Sequence, residues 1–68
     1  MDIFINGQSE SINHQTDTLE KLLSSRSINA KHIIIEYNDT LLKASQLNQQ
    51  IRAGDRIEII HFIGGGIK

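Results

Sequence analysis

Asp55-Arg56-Ile57-Glu58-Ile59-Ile60-His61-Phe62-Ile63-Gly64-Gly65-Gly66-Ile67-Lys68 is the stretch on which the reading of this chain turns. An apolar strand pattern runs directly into three consecutive glycines. Glycine has no Cβ to restrict φ and ψ, so such a run loosens the backbone. The pattern predicts a final strand from Ile57 to Ile63 and a flexible glycine-rich tail over 64–68. Residues 1–63 then form a single body that carries the tail.

Side chains alternate across a strand. Ile57, Ile59 and His61 therefore share one face, and Arg56, Glu58, Ile60 and Phe62 share the other. The charged pair marks the second face as wet, which sends Ile57 and Ile59 to the core. His61 alternates with those core isoleucines and is expected to be a partly buried structural histidine.

Working outward, Arg52-Ala53-Gly54-Asp55 is a tight turn that feeds the final strand. His32-Ile33-Ile34-Ile35-Glu36-Tyr37 is β-branched and predicts a central strand. Asn38-Asp39 is a turn, and Thr40-Leu41-Leu42 is a short partner strand. The polar segment from Lys43 to Gln50 is a loop or single helical turn, anchored by Leu47 and Ile51. At the start, Asp2 to Asn6 is a strand that ends at Asn6-Gly7, the strongest short hairpin signal. Gln8 to Ile12 returns as a polar edge strand.

Asp17-Thr18-Leu19-Glu20 has the form of a capping box, with Asp17 as N-cap and Glu20 reaching back. Leu19, Leu22 and Leu23 follow at helical spacing on one apolar face. The helix fades at Ser24 to Ser27, and Ile28 tucks under its end. The order is strand, strand, helix, strand, short strand, loop, strand. That order predicts an α+β fold of the β-grasp, ubiquitin-like kind. A mixed sheet of four to five strands carries one main helix on one face. A small barrel is the alternative, but the helix needs a sheet face to cover.

In such a sheet the last strand lies between the first and the third. Ile3, Ile5, Ile33 and Ile35 point inward, whereas Phe4, Ile34, Ile60 and Phe62 point outward and are expected to be neighbours. Clustered exposed apolar groups mark partner surfaces, so these four residues are the predicted docking patch.

The totals exclude several classes. Sixty-eight residues allow one domain, and the chain has no cysteine and no proline. A thiolate metal site, a disulfide and a cysteine nucleophile are therefore impossible. Seven Lys+Arg balance eight Asp+Glu, with the signs interspersed. There is no basic stripe for nucleic acid or an anionic membrane. Met1 to Ile5 has no basic n-region, which argues against a signal peptide, and no run reaches membrane-spanning length. The expectation is a cytoplasmic protein, monomeric on its own. His14, His32 and His61 are too scattered to suggest a metal site. Asp55 and Glu58 read as turn and surface residues, and no serine has the setting of a nucleophile.

Several segments together resemble the ThiS/MoaD family of ubiquitin-like sulfur carriers, above all its thiazole-biosynthesis branch. They are Ile3-Phe4-Ile5-Asn6-Gly7, Thr18 to Leu23, Ile34 to Asn38, Gly54 to Ile59, and the glycine tail Gly64-Gly65-Gly66. The resemblance implies a carrier and not an enzyme. It implies that a ThiF-like adenylating enzyme uses Mg-ATP to activate the C-terminal glycine. Sulfur from a cysteine desulfurase persulfide then replaces AMP, and the resulting thiocarboxylate serves a ThiG-like thiazole synthase in thiamin biosynthesis. No cofactor is bound permanently.

Family members end at the glycine, whereas Ile67-Lys68 follow here. The resemblance therefore points to Gly66 as the reactive end after a peptidase removes Ile67 and Lys68, with Gly65 as second choice. Carriers for molybdopterin, tRNA thiolation or cysteine synthesis share this tail chemistry. A non-covalent ubiquitin-like binding module would keep the patch and need no free glycine.

Overall fold

The computed structural model describes residues 1–61. Phe62, Ile63 and the predicted tail over 64–68 lie outside the described residues.

Two hairpins flank a single helix. Strand β1 (Asp2–Ile5) pairs antiparallel with β2 (Gln8–Ser11), and Ile5 faces Gln8 across the turn. Both turn residues have positive φ, Asn6 at 50° and Gly7 at 82°. A two-residue turn of this hand matches the twist of the flanking strands, which is why Asn-Gly is favoured there. The second hairpin joins β3 (Ile33–Tyr37) to β4 (Thr40–Leu42), with Tyr37 facing Thr40. Asn38 and Asp39 sit at φ 48° and 70°. These two side chains tolerate the left-handed region better than most, so a second primed turn forms without glycine. Strand β3 begins at Ile33 and not at His32, because Ala30–His32 form a turn of 3-10 helix before it.

Helix α1 spans Leu19–Ser25, and its start differs from the expectation. The N-cap is Thr18, whose Oγ1 accepts from the Lys21 amide at 3.1 Å. The reason lies in the segment before β5. The carbonyls of Gln49 and Leu47 accept from the Leu19 and Glu20 amides, so two of the helix's orphan donors are already satisfied. Asp17 is released to pair with Lys21 one turn on, at 2.9 Å. That hydrogen bond is the main reason its carboxyl lies below the usual range.

The far end of α1 closes without glycine. The Ser27 amide donates to the Ser24 carbonyl, and the Ile28 amide donates to that of Leu23. Ser27 takes φ 56° to allow it. This is the Schellman pattern, and Ile28 packs against the core as the pattern requires.

Strand β5 (Arg56–His61) completes the sheet in the order β2-β1-β5-β3-β4. It runs parallel to β1 and antiparallel to β3. The expected place of the last strand, between first and third, is therefore correct. Ile3, Leu19, Leu22 and Ile57 are the most deeply buried large side chains. Ile5, Leu23, Ile35, Ile59, Leu47 and Ile51 complete that layer. Ile12 is also buried although β2 ends at Ser11. Ile33 is only half-buried, at the margin of the sheet beyond the seven-residue helix. His61 pairs with it in register and is exposed, which corrects the expectation of a partly buried histidine.

Candidate functional site

The candidate site is the sheet face that α1 leaves uncovered. Among the described residues the exposed large hydrophobics are Phe4 (43%), Ile34 (42%), Leu41 (63%) and Ile60 (48%). Strand alternation places all four on this one face. Ile34 and Ile60 are direct cross-strand partners.

Phe4 is not beside them. The parallel register sets Phe4 level with Arg56 and Ile5 level with Ile57. Ile60 lies four residues further along β5, about 13 Å at strand rise. The predicted patch is thus split into an Ile34–Ile60 pair and a separate Phe4 end. The period-2 argument found the right face but not the position along it, because alternation carries no information about stagger between strands. Phe62, the fourth predicted member, lies outside the described residues, as do Gly64, Gly65, Gly66, Ile67 and Lys68. Leu41 was missed. Its neighbours Thr40 and Leu42 put it on the outer face by the same alternation.

Between the two apolar ends, Glu36 of β3 stands directly opposite Glu58 of β5. Neither makes a salt bridge among the described residues. Arg56, the cation on the same face, is held by Asp39 at 3.1 Å. A groove of about 370 Å³ runs here, lined by Phe4, Gly7, Glu36, Asp39, Arg56 and Glu58, with Ile57 beneath.

Asp55 is more than the turn residue that was expected. Its carboxylate accepts from the Tyr37 hydroxyl, from the Arg52 amide at 2.7 Å and from the Asn38 side-chain amide at 3.2 Å. Burial pushes this carboxyl up, but the hydrogen bonds and the Arg52 charge outweigh burial and hold it below its usual range. Tyr37 is pushed up to about 12, first by burial and then by the Asp55 carboxylate. The Asn38 Oδ1 accepts from the Arg56 amide at 2.8 Å. These bonds tie the second turn to the start of β5. At the other side of β5, Asn6 Oδ1 accepts from the Ile59 amide at 2.8 Å. Both turns therefore clamp the strand that carries Glu58 and Ile60. Sequence showed these residues as turn formers; their reach to β5 depends on tertiary placement.

His14, His32 and His61 are exposed and widely spaced in sequence. Among the described residues, no group of three or more His, Cys, Asp or Glu could hold a metal. No described helix is long and apolar enough to cross a membrane.

A five-stranded mixed sheet, a parallel pairing of first and last strands and one helix on a single face define a β-grasp, ubiquitin-like protein. The ThiS family model matches residues 3–66, and the chain belongs to the ThiS family. It is similar to the sulfur carrier protein ThiS of Bacillus subtilis (strain 168), 32% identical over 63 residues. That match covers 91% of this chain and 96% of the relative. The crystal structure of a thiamine biosynthesis protein (ThiS) from Geobacter metallireducens superimposes with a TM-score of 0.81 at 25% identity. It covers 97% of this chain and 100% of the other.

Proposed function

We propose that this protein carries sulfur for the thiazole ring of thiamin, and that it is the substrate of an enzyme and not itself one. A ThiF-like adenylating enzyme attacks the α-phosphate of Mg-ATP with the carboxylate of a terminal glycine. Pyrophosphate leaves, and an acyl adenylate remains. The terminal sulfur of a persulfide, supplied through a cysteine desulfurase, attacks the acyl carbon and AMP leaves. A thiol then cleaves the S–S bond, forming a disulfide and leaving a thiocarboxylate on the carrier. A ThiG-like thiazole synthase accepts that sulfur.

The reactive glycine is Gly66 once a peptidase has removed Ile67 and Lys68, with Gly65 as second choice. The observation that carries this reading is the span of the family match, which takes in Gly66 and stops before Ile67-Lys68. Glycine suits the task because a backbone without side chains can enter a narrow channel. Each extended residue adds about 3.3 Å of reach. The outer face docks the body first, which offsets the entropy lost on threading the tail, about 1–2 kcal/mol per residue.

Intact-mass measurement tests the proposal. Protein ending at Gly66 is incubated with the adenylating enzyme, Mg-ATP and a sulfide source. It is expected to gain an AMP adduct and then the mass difference of sulfur for oxygen. Protein ending at Lys68 is expected to gain neither. Failure of the Gly66-ended chain to form the adduct would overturn the carrier reading.

A further inference from the structure

The Asn6-Gly7 turn holds two neighbouring groups that the hairpin leaves unused. Among the described residues, neither the Gly7 amide nor the Asn6 side-chain nitrogen has a hydrogen-bond partner. Both residues are exposed. The space beside Gly7 is open, since a Cβ built there would meet nothing within 4 Å. The other described asparagines lack this combination. Asn13, Asn29, Asn38 and Asn48 are followed by His14, Ala30, Asp39 and Gln49, whose side chains crowd the nitrogen that follows the asparagine. Asn38 also donates its side-chain amide to Asp55 at 3.2 Å.

We propose that Asn6 is a site of spontaneous deamidation and that β5 governs its rate. The Gly7 nitrogen attacks Asn6 Cγ, and glycine leaves that nitrogen unshielded because it has no Cβ. The Cγ–Nδ2 bond breaks, ammonia leaves with the Gly7 proton, and a succinimide remains. Water then opens either carbonyl of the ring. One opening gives aspartate. The other gives isoaspartate, whose backbone is lengthened by a methylene. Ring closure requires the carboxamide to turn until Cγ meets the Gly7 nitrogen. β5 opposes that rotation, because the Asn6 amide donates to the Ile57 carbonyl at 2.9 Å and Asn6 Oδ1 accepts from the Ile59 amide at 2.8 Å. Local opening of β5 frees the side chain. The two products differ in consequence. Aspartate keeps an oxygen for the Ile59 amide. Isoaspartate lengthens a two-residue turn and breaks the Ile5–Gln8 pairing that the turn closes.

The full chain is held in mildly alkaline buffer with and without urea. Peptide mapping by mass and labelling with an isoaspartyl methyltransferase follow the products. Asn6 is expected to be the first asparagine modified in both conditions, and about tenfold more slowly in the folded chain. Ile59→Val loosens the packing of β5 and keeps the amide, so it should raise the folded rate towards the unfolded one. Gly7→Asn keeps a residue that tolerates positive φ but crowds the nucleophile, and should slow the modification of Asn6 in both states. Isolated isoaspartyl protein is expected to melt below wild type. Another asparagine modified ahead of Asn6 would overturn the site. A folded rate equal to or above the unfolded rate, or one that Ile59→Val leaves unchanged, would overturn the control by β5. An unchanged rate in Gly7→Asn would overturn the succinimide route, because direct hydrolysis needs no Gly7 nitrogen. Isoaspartyl protein that melts with wild type would overturn the broken turn.

Discussion

Replacing Tyr37 with phenylalanine removes one oxygen and keeps the ring. The phenol proton lies between two acceptors, the Gln50 carbonyl at 2.9 Å and the Asp55 carboxylate. After the change, Asp55 retains the Arg52 amide and the Asn38 side chain. A hydrogen bond to a charged group contributes about 1.5–3 kcal/mol. Solvent reaches this cluster, so the lower part of that range applies, and Y37F is expected to cost about 1–2 kcal/mol. A domain of 68 residues has about 3–10 kcal/mol of stability in total. The loss should therefore lower the melting temperature by about 4–16 °C. Urea denaturation followed by circular dichroism measures it.

A second readout isolates the hydroxyl. The folded Tyr37 titrates near 12, above the 10.0 of a free tyrosine. The folded state then holds its proton where the unfolded chain has lost one. Its contribution is complete below pH 10 and is lost as pH rises towards about 12. Y37F has no phenol to titrate and should lose that part of the alkaline decline. A stability within about 0.5 kcal/mol of wild type, with the alkaline decline unchanged, would refute the reasoning.

Two further predictions concern the clamps on β5. Asp55 titrates below its usual range, so its contribution is present above the unfolded value of about 3.9 and is lost as pH falls through the folded value. Asp55→Asn should flatten the acid limb of a stability–pH curve, and an acid limb identical to wild type would count against the cluster. Asn6→Ala removes the bond to the Ile59 amide and places alanine at φ 50°. The expected loss is about 2–3 kcal/mol by thermal denaturation, from the bond and the left-handed backbone together. A change below about 0.5 kcal/mol would show that Asn6 does not clamp β5.

The inward face of the sheet was legible because burial and alternation agree there. Ile3, Ile5 and Ile57 alternate with polar or aromatic neighbours, Ile59 follows Glu58 in the same alternation, and all four are core. The Asn6-Gly7 and Asn38-Asp39 turns announced both hairpins through residues that tolerate positive φ. What sequence could not supply was the register and the individual hydrogen bonds set by two distant segments at once. The cap at Thr18 depends on carbonyls from Gln49 and Leu47, some thirty residues away along the chain. The separation of Phe4 from Ile60 depends on the stagger of β1 against β5. The opposition of Glu36 and Glu58 depends on the register of β3 against β5. The last two shape the candidate site, and all three follow from how distant segments pair.

The central place of β5 also governs when this protein can fold. The β1–β2 hairpin and the β3–β4 hairpin share no strand pairing in the sheet order; β5 alone joins them. Until Ile57 and Ile59 are in place, the layer under α1 lacks the strand that lies between the two hairpins. A chain cut before Arg56 keeps both hairpins and α1 but loses the strand that pairs with each hairpin, and two-stranded ribbons without a third strand are marginal in water. During synthesis the core must wait for the segment made last among the strands, and parallel pairing of the first strand with it is slow to close. The same strand that completes the body is the one that leads on to the glycines.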